Sequence, residues 1–292
     1  MASVPKNIML GLVLLTSMRI ASGQADPPSP LGGQYGAEID LEGQSPPAGV
    51  DISGEAWYRY VYRRDPSRLW DGLYVQGGGA LDVNPAYGRM GAYVEWMPIA
   101  ILQLRAQVDR YAFFGTSGSL LIYTDTTAPF GSGDYRGRRG QEVSAQADRF
   151  MLQPTLQGTL GQYVLVNQST LTLYDFKRDG PYFWDQEYDT LLQRHDRLYA
   201  DDLSVLYELV RPGKKGRLLI GPSFEVVHAS GADLTRTRVG LSLYFEPRAS
   251  KHALGFLARP RIYFQAGVNT HDSNQNGRAY FLGGIGVELN FD

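Results

Sequence analysis

Histidine and serine stand two residues apart at two places in this chain, and that spacing suits acyl-transfer chemistry. The chain contains four histidines, and the two pairs are His228 with Ser230 and His271 with Ser273. A histidine beside a serine can accept the hydroxyl proton and so turn the serine into a nucleophile. A third group, often a carboxylate, orients the imidazole ring. Both pairs are therefore candidate catalytic sites.

The strand pattern around the first pair gives it the better position. Even-numbered residues from Ile220 to Val226 are apolar, and His228 and Ser230 extend that face of the strand. Folding the chain about a turn near residue 214 brings Asp201 close to His228, where a carboxylate could orient the ring. The candidate catalytic residues are thus Ser230, His228 and Asp201. Polar residues at the end of a strand also need no catalytic role, and that alternative stays open.

The second pair lies in the segment His271-Asp272-Ser273-Asn274. This segment resembles the His-x-Ser-Asn motif of outer-membrane phospholipase A and the lipid A deacylases. The resemblance implies that His271 activates Ser273 for attack on an acyl ester at a lipid-facing rim. Gln275 departs from the family spacing, and strand alternation puts the pair on the face opposite to the apolar one. Asp, Ser, Asn and Gly also suit a plain turn, which is the alternative explanation.

A second set of candidate functional residues is charged and alternates with apolar residues along the chain. Arg105 and Asp109 alternate with leucine, alanine and valine, and Arg259 and Arg261 alternate with Pro260 and the apolar residues that follow. If the apolar faces meet lipid, the charged faces share an enclosed lumen. The predicted lumen cluster consists of Arg105, Asp109, Glu225, Arg236, Arg238, Arg259, Arg261 and Glu288.

Turn positions predict which of these charges are neighbours. A loop near residue 231 places Glu225 beside Arg236 and Arg238, and the last hairpin places Glu288 beside Arg259. A turn near 249–250 places Arg238 beside Arg261. Two interpretations follow. The charges form an internal brace of paired ions, or an arginine-rich wall of a conduit attracts anionic solutes.

The elements that must position these residues are strands. About twelve alternating segments follow residue 33, and no segment shows the 3.6-residue period of a helix. The segments are 34–42, 52–63, 69–82, 87–97, 101–114, 141–157, 162–176, 199–211, 217–229, 233–246, 254–269 and 278–291. The odd-numbered joins 43–51, 115–140, 177–198 and 271–277 are long, whereas the even-numbered joins are short. Short periplasmic turns and long extracellular loops are typical of outer-membrane barrels.

The last segment carries a family resemblance. Odd-numbered residues from Ala279 to Phe291 are mainly apolar, and the residues between them are mixed, small or charged. This strand is similar to the closing strand of bacterial outer-membrane β-barrels, in which a terminal aromatic residue is read by the barrel-assembly machinery. Here Asp292 follows the aromatic residue. The resemblance implies an all-β fold, namely a single transmembrane antiparallel barrel of about twelve strands over residues 34–292.

The N-terminal region and the composition agree with export. Residues 1–25 contain Lys6, an apolar run and a small-residue exit, as in a signal peptide cleaved after Gly23 or Ala25. Residues 26–33 then form a short periplasmic tail. The chain has no Cys, so neither a lipid anchor nor a disulfide is expected. A net charge of −2 without a basic block excludes nucleic acid as a partner, and we expect no metal or other cofactor.

These features predict an outer-membrane barrel that acts as a passive channel or export pore for small polar or anionic solutes. Three alternatives remain: the barrel component of a polysaccharide secretion system, an acyl hydrolase of the His-x-Ser type, and a structural or adhesive barrel. The expected partners are outer-membrane lipid and lipopolysaccharide, the barrel-assembly machinery, and a polysaccharide or small anionic solute. The aromatic loops 115–140 and 177–198 could plug the lumen.

Overall fold

The computed structural model describes residues 31–45, 49–67, 69–135, 137–210, 216–247, 250–251, 256–273 and 275–291. The strands are β1 (Gly32–Ser45), β2 (Gly49–Arg63), β3 (Leu73–Val83), β4 (Tyr87–Ile99), β5 (Leu102–Phe114), β6 (Ile122–Tyr123), β7 (Ser144–Leu160), β8 (Tyr163–Phe176), β9 (Tyr182–Asp185), β10 (Thr190–Leu192), β11 (His195–Val210), β12 (Arg217–Ala229), β13 (Leu234–Glu246), β14 (Ser250–Lys251), β15 (Phe256–His271) and β16 (Ala279–Phe291). One helical turn, α1 (Ser132–Tyr135), precedes β7.

The main sheet is a closed barrel. It contains thirteen strands, of which β14 has only two residues, so twelve long strands form the wall. Each long strand pairs antiparallel with its neighbours, and β1 pairs with β16 from Tyr35 opposite Phe291 to Ser45 opposite Phe281. This pairing removes both sheet edges. The prediction of a twelve-stranded antiparallel barrel is confirmed.

The alternation along each strand separates the two faces of the wall. In β5, Val108 is 55% exposed on the outside, whereas the adjacent Asp109 is 5% exposed on the inside. The same alternation holds in β16, where Phe281 and Ile285 point outward and Tyr280 is buried. Successive side chains of a strand point to opposite faces, so an apolar–polar repeat gives an apolar exterior and a polar interior.

The connections differ at the two ends of the barrel. We call the end that carries residues 115–143 and 177–194 the loop end, and the opposite end, where β1 begins and β16 ends, the turn end. The long joins after β5 and β8 are confirmed. The long join predicted at 43–51 is wrong, because β1 and β2 stay paired up to Gln44 opposite Gly49. The two strands stay paired closer to the tip of their hairpin than the polar composition of residues 43–51 indicated.

The register of β13 and β15 corrects one predicted neighbour. Arg238 lies opposite Asn269, and Phe245 lies opposite Ile262. The prediction that Arg238 neighbours Arg261 is therefore wrong. The residue that faces Arg238 is Asn269, which lies eight positions beyond Arg261 on β15. The two arginines are therefore far apart along the strands.

The two long loop-end segments fold together. Strands β6, β9 and β10 form a separate three-stranded sheet, and residues 115–143 and 177–194 together form what we call the plug. Leu120, Leu121, Phe183, Leu191 and Leu192 in it are completely buried. No helix in the described part of the chain is long and apolar enough to cross a membrane.

The predicted signal peptide, residues 1–25, lies outside the described residues, as does most of the predicted tail. The first strand begins at Gly32, two residues inside that tail.

Candidate functional site: a plugged polar lumen

The lumen beside strands β1 to β8 contains a polar cavity. Carboxylates of β1, Glu55 of β2, Arg105 of β5 and Arg149 of β7 line it, with glutamines between them. The cavity measures about 60 Å³, which is room for a few water molecules. Lumen side chains such as Glu38, Gln76 and Glu95 are at most 3% exposed, so the interior is filled in this state.

The plug contacts the charged side chains of this lumen through the carboxylate of Glu187. Its oxygens lie 3.1 Å from Arg149 Nη1 and 3.5 Å from Arg89 Nη1, and the hydroxyl of Tyr111 donates a hydrogen bond to it at 2.8 Å. The two arginines also keep partners in the wall, because Arg149 pairs with Asp109 at 2.7 Å and Arg89 with Asp82 at 2.7 Å. We call the contact of Glu187 with Arg89, Arg149 and Tyr111 the latch.

Apolar packing holds the rest of the plug. Trp184, Leu191 and Leu192 of the plug pack in one cluster with inward side chains of the barrel wall. The wall side chains in that cluster are Tyr87, Tyr111, Ala147, Tyr174, Phe176, Leu198, Ala200, Val227 and Ala229. The loop end of the lumen is therefore closed by a packed apolar core.

A second ion cluster joins strands of the wall. Arg261 of β15 pairs with Asp40 through Nη2 at 2.6 Å and with Glu38, both on β1. Strand β16 lies between them, and Gly286 leaves the necessary room, because an added Cβ would lie 1.9 Å from Asp40 Oδ1. We call Arg261, Glu38 and Asp40 the seam brace, since it spans the pairing of the first and last strands.

The remaining predicted lumen charges are also paired. Glu225 lies opposite Arg238 and forms ion pairs with it and with Arg236. Arg236 also donates to the backbone oxygen of Tyr188 in the plug. Arg105 pairs with Glu55 at 2.7 Å, and its neighbour Asp109 pairs with Arg149. Arg259 lies opposite Glu288 at 4.0 Å. The structure thus places these predicted neighbours together.

Inward-facing acids outnumber inward-facing arginines on the described strands. The arginines are Arg59, Arg89, Arg105, Arg149, Arg217, Arg236, Arg238, Arg259 and Arg261. The acids are Glu38, Asp40, Glu42, Asp51, Glu55, Asp82, Glu95, Asp109, Asp196, Asp202, Glu208, Glu225, Glu246 and Glu288. The arginines therefore do not form a free anion-attracting wall.

The turn end of the lumen differs from the middle. Val164 and Val166 of β8, Leu206 of β11, Leu219 of β12 and Tyr244 of β13 form a buried apolar cluster there. Each is on the inward face of its strand, where an open pore has polar side chains. This cluster lies on β8, β11, β12 and β13, whereas the carboxylates that line the polar cavity lie mainly on β1 and β2.

The plug also contains a carboxyl group with an unusual titration. Burial raises the pKa of Asp185 to about 7, and the nearby charge of Glu187 adds to the rise. The backbone N–H of Tyr188 donates to Asp185 at 2.9 Å, which opposes that rise. We therefore expect the docking of the plug to depend on pH near neutrality.

The catalytic candidates do not form a triad. His228 lies opposite Tyr199, and its Nδ1 is 3.0 Å from the hydroxyl of Thr235. Asp201 lies opposite Val226 and accepts hydrogen bonds from Asn167 and Ser169 instead. Ser230 is exposed in the turn that follows β12. In this geometry Asp201 orients no imidazole.

The second His-Ser pair lies at the rim of the loop end. His271 is exposed and lies opposite Thr237, after a bulge that shifts the register of β13 and β15. The predicted lumen-side position assumed an uninterrupted strand, and the bulge changes that alternation. Ser273 lies in the following turn.

The outer face has the composition of a membrane-spanning surface. Ile39, Val94, Leu241 and Ile285 are each more than half exposed in the middle of their strands. Exposed aromatic side chains gather near the turn end, where Tyr60 and Trp96 lie. Such an apolar belt with an aromatic girdle fits a hydrocarbon solvent. The protein has the fold of an outer-membrane β-barrel.

Comparison with known proteins agrees on the fold. No protein-family model and no curated protein matches the chain. Among solved structures, it is similar to an outer membrane channel from Pseudomonas putida F1, with 14% identity over 92% of this chain and 100% of that chain, and a TM-score of 0.44. The translocator domain of the autotransporter NalP from Neisseria meningitidis has 10% identity over 90% of each chain and a TM-score of 0.46.

A third similar structure is LpxR from Salmonella typhimurium, with 8% identity over 86% of this chain and 99% of that chain, and a TM-score of 0.36. These likenesses concern the barrel fold and carry no function to this chain.

Arg261 of the seam brace was predicted from the sequence, but its two carboxylate partners and the residues of the latch were not. Glu187 is one acid among several in its loop, and Arg89, Arg149, Glu38 and Asp40 were not singled out. The alternation of residue types along β1 and β7 places Glu38, Asp40 and Arg149 on inward positions, so these three residues were predictable from the sequence. Nothing local in the sequence distinguishes Glu187.

Proposed function

We propose that the protein is a gated outer-membrane channel, closed by the plug and open to small polar solutes when the plug moves. The observation that carries this proposal is the latch, which ties a separately folded segment to the polar lumen through one buried carboxylate. A wall that only needed bracing would not require a plug residue to reach Arg89 and Arg149.

The charge balance of the lumen supports a preference for cations. Acids exceed arginines along the inward faces of the described strands. Rings of fixed negative charge favour cations in pores. A preference for cations differs from the anionic solute that the sequence predicted. The reason is that the predicted lumen arginines, namely Arg105, Arg236, Arg238, Arg259 and Arg261, are engaged in ion pairs.

The orientation and route of assembly are part of the proposal. Long loops of outer-membrane barrels face the cell exterior, so the plug would close the external mouth. Residues 1–25 would direct export, and β16 would present its C-terminal aromatic residue to the assembly machinery.

Single-channel recording in planar bilayers tests the gate. We expect the wild type to be closed for most of the recording, and Glu187→Gln to open more often, with current carried mainly by cations. Glu142→Gln is the matched control, because Glu142 accepts hydrogen bonds from Gly118, Gly140 and Tyr135, which all belong to the plug. The control should behave like the wild type.

A structural barrel without flux is the second candidate. The buried turn-end cluster of Val164, Val166, Leu206, Leu219 and Tyr244 favours it, since apolar packing obstructs a conduit. Silence of both the wild type and Glu187→Gln in correctly folded barrels would support this candidate and reject the gated channel.

A further inference from the structure

Three polar side chains form a hydrogen-bonded group on the outer face of the barrel. Asn167 Nδ2 donates to the two carboxylate oxygens of Asp201 at 3.0 and 3.2 Å, and Ser169 Oγ donates to Asp201 Oδ1 at 2.5 Å. Asn167 and Ser169 lie on the outward face of β8, and Asp201 lies opposite Ser169 on β11. We call these three residues the outer polar group.

Its surroundings are apolar. Leu165 and Leu171 flank it on β8, Val205 follows on β11, and Phe224 lies on the neighbouring strand β12, all with exposed side chains. Acyl chains neither donate nor accept hydrogen bonds, so polar groups inside this belt are costly and tend to be functional. On the outward faces of the described strands, Asp201 is the one carboxylate whose outward neighbours in both directions along the same strand are apolar.

A positively charged group lies above it, toward the loop end. Arg197 is on the same outward face of β11, and Tyr199 separates it from Asp201. The guanidinium of Arg197 has no partner among the described residues and is exposed. His228 and Ser230, on the next strand and its turn, border the same area. Arg197 and Asp201 are four positions apart on β11, which corresponds to about 13 Å along the strand.

The acceptor positions of the outer polar group determine the class of ligand that this surface can bind. An ionised carboxylate has about four acceptor positions, and Asn167 and Ser169 fill only part of them. The carbonyl oxygen of Asn167 accepts no hydrogen bond from the described part of the chain. The ligand must therefore supply an O–H or N–H group within the apolar belt and an anion nearer the rim.

We propose that this surface binds an anionic lipid that carries hydroxyl or amide groups on its acyl portion, below a phosphate. The phosphate lies against Arg197, and the hydroxyl or amide donates to Asp201 and Asn167. This accounts for the outward position of His228, Ser230 and Asp201 without catalysis. The inference goes beyond the proposed channel and does not depend on whether the lumen conducts.

The test compares two lipids and four variants by native mass spectrometry in detergent. Diphosphorylated lipid A carries both amide and hydroxyl groups, whereas phosphatidylglycerol is anionic but has only ester-linked, unsubstituted chains. We expect lipid A to bind the wild type more tightly than phosphatidylglycerol does. Asp201→Leu should lower lipid A binding about tenfold and leave phosphatidylglycerol unchanged, whereas Arg197→Ser should weaken both.

The controls separate contact from misfolding. Thr237→Leu removes another outward polar side chain, on β13, and should leave lipid A binding unchanged. Asp201→Asn keeps an acceptor oxygen and should retain most of the binding. All variants must resist unfolding in SDS as the wild type does. Equal lipid A binding by the wild type and Asp201→Leu would overturn the proposal. So would a lipid-free mass of two chains that Asp201→Leu abolishes, because a second copy would then cover the site.

Discussion

The seam brace and the latch are both buried ion clusters in one lumen, but they join different things. Arg261, Glu38 and Asp40 hold strands of the wall across the closing pair β1 and β16. In the latch, Glu187 holds the plug to arginines that already have other carboxylate partners in the wall. A buried charge that loses its only partner is costly. We therefore expect that the latch can break while the barrel stays intact, whereas loss of the seam brace destabilises the barrel itself.

The largest effect should follow from breaking the seam brace. Arg261→Met leaves Glu38 and Asp40 buried beside each other without their cation, and we expect the free energy of unfolding to fall by about 3–5 kcal/mol. Urea unfolding in micelles measures this loss. Arg63→Ser is the control, because the Arg63–Asp65 pair is partly exposed and is worth less than about 1 kcal/mol. Equal losses would show that the brace is unimportant.

A smaller loss should follow from filling the space beneath the brace. In Gly286→Ala the new Cβ would meet Asp40 Oδ1 and Arg261 Nε, which must separate. We expect a loss of about 1–3 kcal/mol, as for overpacked sites. Gly158→Ala, which has open space around it, should change stability little. A neutral Gly286→Ala would mean that the ion pair shifts freely.

Breaking the latch should affect the plug and leave the wall intact. Glu187→Gln removes a charge from three contacts, and we expect plug docking to weaken by about 1.5–3 kcal/mol, with unchanged urea unfolding of the barrel. Hydrogen exchange of the backbone amides of residues 183–192 should quicken about tenfold or more, since 1.4 kcal/mol is a factor of ten. Slow exchange in this variant would show that apolar packing alone holds the plug.

The smallest effect, taken per pH unit, should be a pH dependence that belongs to the plug. The pKa of Asp185 is about 7 when the plug is docked and lies near 3.8 when it is solvated, so the docked state binds the extra proton. Docking is therefore strongest at low pH and weakens as pH rises through the interval from about 4 to 7, by at most about 1.4 kcal/mol per pH unit.

Acrylamide quenching of Trp184 follows this change, because Trp184 is buried in the docked plug. Subtraction of the Trp184→Phe signal isolates this tryptophan from the others. Quenching should increase from pH 5 to pH 8 in the wild type and stay constant in Asp185→Asn. A pH response that survives in Asp185→Asn would assign the effect to another group.

Local patterns settled most of the wall in advance. Segments such as 217–229 match the observed strand β12, and the mixed, small or charged residues of β16 lie on the inward face as the alternation predicted. The register of β12 with β13 was also accessible, since a tight turn fixes which residues face each other. The register of β13 with β15 was not accessible, because the composition of the connection does not mark the centre of the turn. For this reason Arg238 was predicted to face Arg261, whereas it faces Asn269.

The sequence alone predicts the strands of a wall of about twelve, its apolar exterior and its charged interior, because the period of two acts within each strand and needs no distant partner. Only the tertiary structure decided what the charges do. Glu187 meets Arg89 across 98 positions of sequence, and Arg261 meets Glu38 across 223. Such contacts depend on how the barrel closes and how two loops fold into its mouth, which no local repeat encodes.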